Sequence, residues 1–562
     1  MLDKIFDYAR YALYVLLIFL CFTLFQTWQK EHSKSLLPIT ENATLTNDHF
    51  VPPTPLSAPN TKPDMPSQPP PVIAVQSDDL ERDQLINVQT DVLQVKIDSK
   101  GGDLIAASLL HYPEELGQHR PVVLFNDNPQ TKYIAESGLL GAIGPDTSQS
   151  QAHYTLEKKD YVLSKDQNEL TVNLSWHGPS GVAVTKFFTF TRGSYEINVG
   201  YVIHNESNDI YDGSFYTQLL RTNSPPPSAS GFINLATYFG AAISSPKDPF
   251  TKISFKDMEK TNLNKPIENG WAAMVQHYFL GAWIPPKNVV ENYYTRVLPG
   301  GLYAVGMVGE PIKVAPKQQA TTTAKLYVGP LKTHLLEQAA PNLKLTIDYG
   351  WFWFISVIIF WLMQKIYDVI GNWGWSIVLV TIIIKAAFYQ LSAKSFRSMA
   401  AMKKLQPKIE ILKQRYADDK QKMTQATLEL YRQEKVNPMS GCLPILIQIP
   451  VFIALYWVLV ESVELRQAPF IFWIHDLSQR DPYYILPLLM GGSMFLQQRL
   501  NPPPPDPMQA KVMMFMPVIF TIMFANFPAG LMLYWFVNNS LAFLQQWYVM
   551  HKLQNGPVRK KS

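Results

Sequence analysis

Cysteine is nearly absent from this chain. Among 562 residues there are two, Cys21 and Cys442, each in or beside an apolar stretch. The region from about residue 57 to 340 therefore cannot be stapled by disulfides, whatever its compartment. Charged residues are also scarce, at 17%, against 47% hydrophobic. The mean hydropathy of −0.04 conceals a polar first half and a very apolar second half. Catalytic signatures are missing as well: no Cys/His cluster has metal-ligand spacing, and there is neither a phosphate loop nor a nucleophile elbow. Neither a cofactor nor a metal is expected, and nothing points to an enzyme.

What is present begins with an apolar run, "YALYVLLIFLCFTLF", preceded by Lys4 and Arg10. It is long enough, with its flanks, to span a bilayer. A cleavable signal peptide is the rival reading, but no small-x-small site follows the run. Residues 1–28 are therefore expected to be an uncleaved anchor with its N-terminus in the cytoplasm. Residues 29–71 read as a linker, because nine prolines fall between Pro52 and Pro71 and favour an extended chain.

Residues 72–340 have the composition of a soluble β domain. "DVLQVKID" alternates with Leu93, Val95 and Ile97 on one face; "ELTVNLSW" does so with Leu170, Val172, Leu174 and Trp176; "YEINVGYVIH" does so with Tyr195, Ile197, Val199, Tyr201 and Ile203. Period-2 patterns separated by Gly, Asn, Asp and Ser predict antiparallel sheets packed as a β-sandwich. Following the anchor, this domain is expected outside the cytoplasmic membrane, in the periplasm.

Two apolar stretches come next, at 351–363 and 373–391. The segment that follows, 394–435, holds eleven Lys/Arg against five Asp/Glu. Such a basic segment belongs in the cytoplasm, so only one of the two stretches crosses. The first is short and tryptophan-rich; 341–372 reads as a helix lying in the outer interface. Residues 373–391 are then the second span, 392–440 a basic helical hairpin, 441–550 spans three to six, and 551–562 a basic cytoplasmic tail. The expected fold is a polytopic α-helical membrane protein of six spans with a large periplasmic antiparallel β-sandwich domain. Within the hairpin, Met399, Met402, Leu405, Ile409 and Leu412 recur at helical spacing, and so do Met423, Ala426 and Leu430, with a turn near Asp418 and Asp419. Lys403, Lys404, Lys408, Lys413 and Arg415 make it either a solvated connector or a docking arm for RNA, anionic lipid or a partner.

One lysine, Lys385, interrupts the apolar stretch 373–391. It stands six residues before the end of the span at Leu391, roughly 9 Å at the helical rise. A lysine can snorkel over most of that distance. Against mere snorkelling, other polar groups lie at a similar depth: Thr381 one turn away, Gln448 in the third span, Asn538 and Asn539 in the last, with Gln545 and Gln546 nearer its exit. No acidic residue within the expected spans can neutralise Lys385. An unpaired cation among amides suggests a water-containing cavity open to the cytoplasm, although interhelical glue explains asparagines as well.

Several stretches resemble the YidC/Oxa/Alb family of membrane insertases: "DYGWFWFIS", "GNWGWSIVLVTIIIK", "SMAAMKKLQPKIE", "KVNPMSGCLPILIQIPVFIALYWVL", "SVELRQAPFIFWIHDLS" and "FPAGLMLYWFVNN" among them. Together they cover nearly all of 348–550. The outer domain resembles the Gram-negative form more loosely, for example in "TDVLQVKIDSKGGDL". The resemblance implies a five-span core with a hydrophilic groove, closed outside and open to cytoplasm and lipid. Its groove cation matches Lys385, where many relatives carry arginine. Its polar groove positions match Thr381 and Gln448, and its aromatic substrate contacts match Tyr534 and Trp535; Asn538 adjoins them. The implied activity is insertion and chaperoning of nascent membrane proteins. The implied partners are the ribosome, the signal recognition particle receptor as targeting machinery, the Sec translocon and membrane lipids. Two other classes stay open on the residues alone: a solute transporter using the same cavity, and a glycan-handling enzyme in the β domain.

Overall fold

The computed structural model describes residues 85–147, 151–225, 237–416, 419–434, 436–437, 443–501 and 507–555. The expected anchor at 1–28, the linker at 29–71 and the end of the basic tail lie outside the described residues.

The polar half forms two sheets, of eleven and nine strands. Neighbouring strands pair antiparallel apart from Leu85–Gln89 with Asp160–Val162, which is parallel. The alternation seen in sequence sorts side chains as a pleat requires. Leu93, Val95 and Ile97 are buried while Gln94 and Lys96 are exposed. Along Glu196–Asn205, Ile197, Val199, Tyr201 and Ile203 are buried. In Glu169–His177 only Val172 and Leu174 are fully buried; Leu170 and Trp176 sit half-buried towards the strand ends. Val95, Leu139 and Leu219 of the larger sheet share one apolar cluster with Phe188, Val199 and Trp283 of the smaller.

Polar ties fix the two sheets in register. The Tyr133 hydroxyl donates to the Met274 carbonyl at 2.9 Å and accepts from the Gly281 N–H at 3.0 Å. The Trp283 indole N–H donates to the Gln218 carbonyl at 3.0 Å. Each bond lets a large aromatic side chain be buried without an orphaned donor. Among the described residues of this half the α-helices are α1 (Phe255–Lys260), closed at its start by a Ser254–Asp257 capping box, and α2 (Thr333–Ala339).

The apolar half is helical: α3 (Trp353–Ile370), α4 (Trp373–Ala387), α5 (Tyr389–Lys404), α6 (Gln406–Arg415), α7 (Lys420–Gln433), α8 (Leu443–Glu461), α9 (Ile485–Leu500), α10 (Pro507–Phe524) and α11 (Ala529–Asn555). Helix α3 has 18 residues, longer than the expected dozen, and is by itself long and apolar enough to cross a membrane. It stops at Gly371, whose φ of 71° only glycine adopts freely, and Asn372 then caps α4 by accepting from Trp375 N–H at 3.1 Å. Helix α4 packs on α3, and the Ser356 hydroxyl of α3 donates to the Ala454 carbonyl of α8 at 3.0 Å.

The expected span at 373–391 is not one straight helix. It breaks at Phe388, and α4 and α5 meet at a bend of 67°. The pattern changes there: beyond Phe388 the sequence becomes amphipathic, and α5 turns to pack Ala393 and Phe396 against Val549 of α11. The first hairpin arm is likewise divided, at Leu405, with Pro407 opening α6 where a missing N–H costs nothing. Its apolar face holds, since Met402, Leu405 and Ile409 are buried.

The β domain and the helices meet at the segment between α8 and α9. Arg466 donates from Nη2 to the carbonyls of Pro113 (2.6 Å) and Glu114 (2.9 Å), and Gln467 donates to Pro113 at 3.0 Å. A His277 ring nitrogen lies 2.8 Å from the Val460 carbonyl.

Candidate functional site

Three helices bring the expected polar groups together. Lys385 projects from α4, Gln448 from α8 and Asn538 from α11. The Lys385 ammonium donates to Gln448 Oε1 at 3.5 Å, and Gln448 Nε2 donates to Asn538 Oδ1. The Tyr534 hydroxyl also reaches the Gln448 side chain. Among the described residues no carboxylate stands within ion-pair distance of Lys385. Its charge is thus held by a single long bond to a neutral amide.

Around this centre the walls are apolar. Ile384, Phe388, Leu391 and Ile447 line the space beside Lys385 and Gln448. The room open to water there is about 10 Å³, enough for about one molecule. Lys385 itself is half-buried.

The remaining expected residues divide. Thr381 is buried, and its hydroxyl donates to the Ile377 carbonyl of its own helix at 2.6 Å, so that donor is already used. Tyr534 is buried and stacks on Phe452 at 6.2 Å. Trp535 packs edge-on to Phe452 at 5.0 Å and against Phe524 at 5.0 Å, and its buried indole N–H has no partner among the described residues. Gln545 and Gln546 stay away from Lys385: they donate to the Tyr389 carbonyl (3.1 Å) and to Asn501 (2.9 Å), tying helices together. Sequence reading missed Phe452, because an aromatic in an apolar helix carries no signal until its neighbours are known.

On the hairpin, Lys403, Lys404 and Arg415 are exposed and Lys413 is half-buried. They occupy the last turns of α5 and α6, where positive charge suits the helix dipole. Lys408 differs: it pairs with Glu434 at 2.5 Å, bridging the two arms.

A second polar cluster lies inside the β domain. Lys186 is fully buried and donates to the carbonyls of Gly101 (2.8 Å) and Ser137 (2.7 Å). Asp103, Glu136 and Asp146 surround it. Asp146 accepts from the N–H groups of Leu139 (2.8 Å) and Ala152 (3.1 Å); Asp103 accepts from Gln151 at 3.0 Å; Glu136 accepts from Gln218. Burial raises all three carboxyls, Asp146 to about 6, and lowers Lys186 to about 8. Every member is bonded within the core, which is the pattern of a structural tie between sheets. Gly102 borders it at a φ of 67°, and a Cβ there would come within 2.7 Å of the Lys186 chain.

A two-sheet β domain is thus joined to C-terminal apolar helices gathered around one lysine. Known proteins share both parts. The family described as "YidC periplasmic domain" matches residues 85–362, and that described as "60Kd inner membrane protein" matches 365–556. Curated relatives named membrane protein insertase YidC include that of Legionella pneumophila (strain Paris), 52% identical over 85% of this chain and 86% of its own. The Pseudomonas fluorescens (strain SBW25) relative is 46% identical over 95% and 96%. A solved structure titled as an active YidC insertase with its first transmembrane domain resolved matches at a TM-score of 0.41 and 19% identity, covering 84% of this chain and 93% of that one. The chain belongs to the YidC family.

Proposed function

We propose that this protein inserts nascent proteins into the inner membrane and assists their folding, alone or with the Sec translocon. The insertase activity named for its relatives supports the reading. The observation that carries it for this chain is Lys385: a cation set among apolar helices, bonded only to an amide, with no carboxylate near among the described residues. Such a charge is costly in a membrane unless something uses it.

In this reading Lys385 receives the short acidic tail of a substrate. The low dielectric strengthens that attraction and offsets part of the desolvation of the tail. The substrate's apolar segment then leaves along α8 and α11, past Tyr534, Trp535 and Phe452, driven by its own burial in lipid. No bond is made or broken.

The topology proposed is six spans with both termini cytoplasmic: the anchor, α4 with the start of α5, α8, α9, α10 and α11. The two sheets form a periplasmic sandwich. Helix α3 is long enough to cross, yet a crossing would place the basic hairpin outside; it is assigned to the outer interface, with exposed Trp351, Trp353 and Trp361 at the headgroups. The hairpin residues Lys403, Lys404, Lys413 and Arg415 serve as the ribosome and targeting-receptor dock. Site-specific photo-cross-linking from position 388, which lines the space beside Lys385 and leaves its charge in place, to a stalled ribosome–nascent chain tests the proposal: adducts should form with the nascent tail, and their absence at every chain length would refute it.

A further inference from the structure

We propose that Asn538 is a positioning residue: it sets the orientation of the Gln448 amide and, through it, the presentation of Lys385 to the substrate. The inference rests on the reading of Lys385 as the substrate-receiving cation.

Hydrogen-bond polarity carries it. An ammonium has only donors. Gln448 must therefore turn its carbonyl oxygen to Lys385, as it does at 3.5 Å. That fixes its NH2 group on the opposite side, facing α11, where an unpaired donor in an apolar bundle would be costly. Asn538 meets this donor with Oδ1. The order of the three residues allows one direction of donation only, from Lys385 to Gln448 to Asn538. Were Asn538 apolar, the Gln448 side chain would keep only Lys385 and the Tyr534 hydroxyl as partners, and the amide would hold this face less firmly. The flipped amide would point two N–H groups at the ammonium, and Lys385 would turn away.

The length of the first bond matters. At 3.5 Å it is at the limit of a hydrogen bond. It aims the ammonium without neutralising it, and an arriving carboxylate replaces the amide easily because its charge-assisted bond is stronger. The next residue on α11, Asn539, holds its buried NH2 without a partner among the described residues. The neighbouring Trp535 indole N–H is also unpaired. On this side α11 thus adds donors, matched to a substrate that brings acceptors.

The test uses the full-length protein in proteoliposomes and two substrates, one with an acidic tail and one with that tail neutralised to amides. Asn538→Leu should lower acidic-tail insertion about fivefold, the scale of one lost hydrogen bond, and leave neutral-tail insertion unchanged. In a Gln448→Met background, which has no amide to orient, Asn538→Leu should have no further effect. Asn538→Ala serves as the second variant in the same assays. Equal loss with both tails, or losses that multiply in the double variant, would overturn the proposal by showing a merely structural role. Lys385→Ala separates the two levels. If it spares acidic-tail insertion, the groove reading itself fails; if it abolishes it while Asn538→Leu does not, the positioning role alone fails.

Discussion

Lys186 stands on the nine-stranded sheet and Ser137 on the eleven-stranded sheet, and a 2.7 Å hydrogen bond from the lysine ammonium to the serine carbonyl joins them. The bond is buried beside three carboxyls whose affinity for protons is raised by burial. A carboxyl raised from 3.8 to about 6, as at Asp146, binds its proton more tightly folded than unfolded. Its contribution to stability is complete below about pH 4 and is lost as the pH rises through about 6. The shift of about two units corresponds to about 3 kcal/mol. The β domain should therefore melt at lower temperature at pH 7 than at pH 5, and Asp146→Asn should flatten that slope. Calorimetry of the full chain across this range checks both.

Arg466 ties the segment between α8 and α9 to two carbonyls of the β domain, with its guanidinium 5.8 Å from the centre of the Phe279 ring. Arg466→Ala removes charge-assisted bonds worth roughly 2 kcal/mol. Amide hydrogen exchange across 462–482 should quicken about tenfold or more, while the strands around Lys186 keep their protection. Arg466→Lys should rescue only part, because an ammonium lacks the planar fork.

Gly374 permits α4 to approach the same segment. A Cβ there would lie 2.0 Å from Phe470 Cδ2. Gly374→Ala should cost about 1–3 kcal/mol, the usual range for overpacking, seen as a lowered unfolding midpoint in detergent. Phe470→Ala in the same chain should recover most of it.

On the hairpin the charges are not equivalent. Lys403, Lys404 and Arg415 are exposed and carry no ion pair among the described residues, whereas Lys408 bridges to Glu434. Reversing Lys403, Lys404 and Arg415 to Glu should weaken ribosome co-sedimentation and reduce its salt dependence. Reversing Lys408 should instead loosen the packing of α6 on α7, visible as faster exchange in both helices.

The sequence made the β domain legible because one face of each strand is buried, so period-2 alternation at Leu93, Val95 and Ile97 reports the core directly. It made Lys385, Gln448 and Asn538 candidates because polar residues stand out in apolar runs. Their order of donation was not legible, since it depends on which helices touch. Spacing sets Thr381 one turn from Lys385, and the family resemblance implies a groove position for it; its hydroxyl donates to the Ile377 carbonyl, a local bond that any buried helical threonine can make. The bend at Phe388 is hard to read from the sequence because Tyr389 and Leu391 carry apolar character past it, and only the change to an amphipathic pattern marks it. The buried tie around Lys186 left no trace, because its members are scattered from Asp103 to Gln218 and meet only across two sheets.

The most direct measurement is insertion of an acidic-tailed substrate by reconstituted Lys385 variants. Lys385→Arg keeps the charge and should retain insertion; Lys385→Glu repels the tail in a low dielectric and should abolish it, while a substrate with a neutralised tail should be far less affected. Normal insertion of the acidic-tailed substrate by Lys385→Glu would contradict the assignment of Lys385 as the receiving charge.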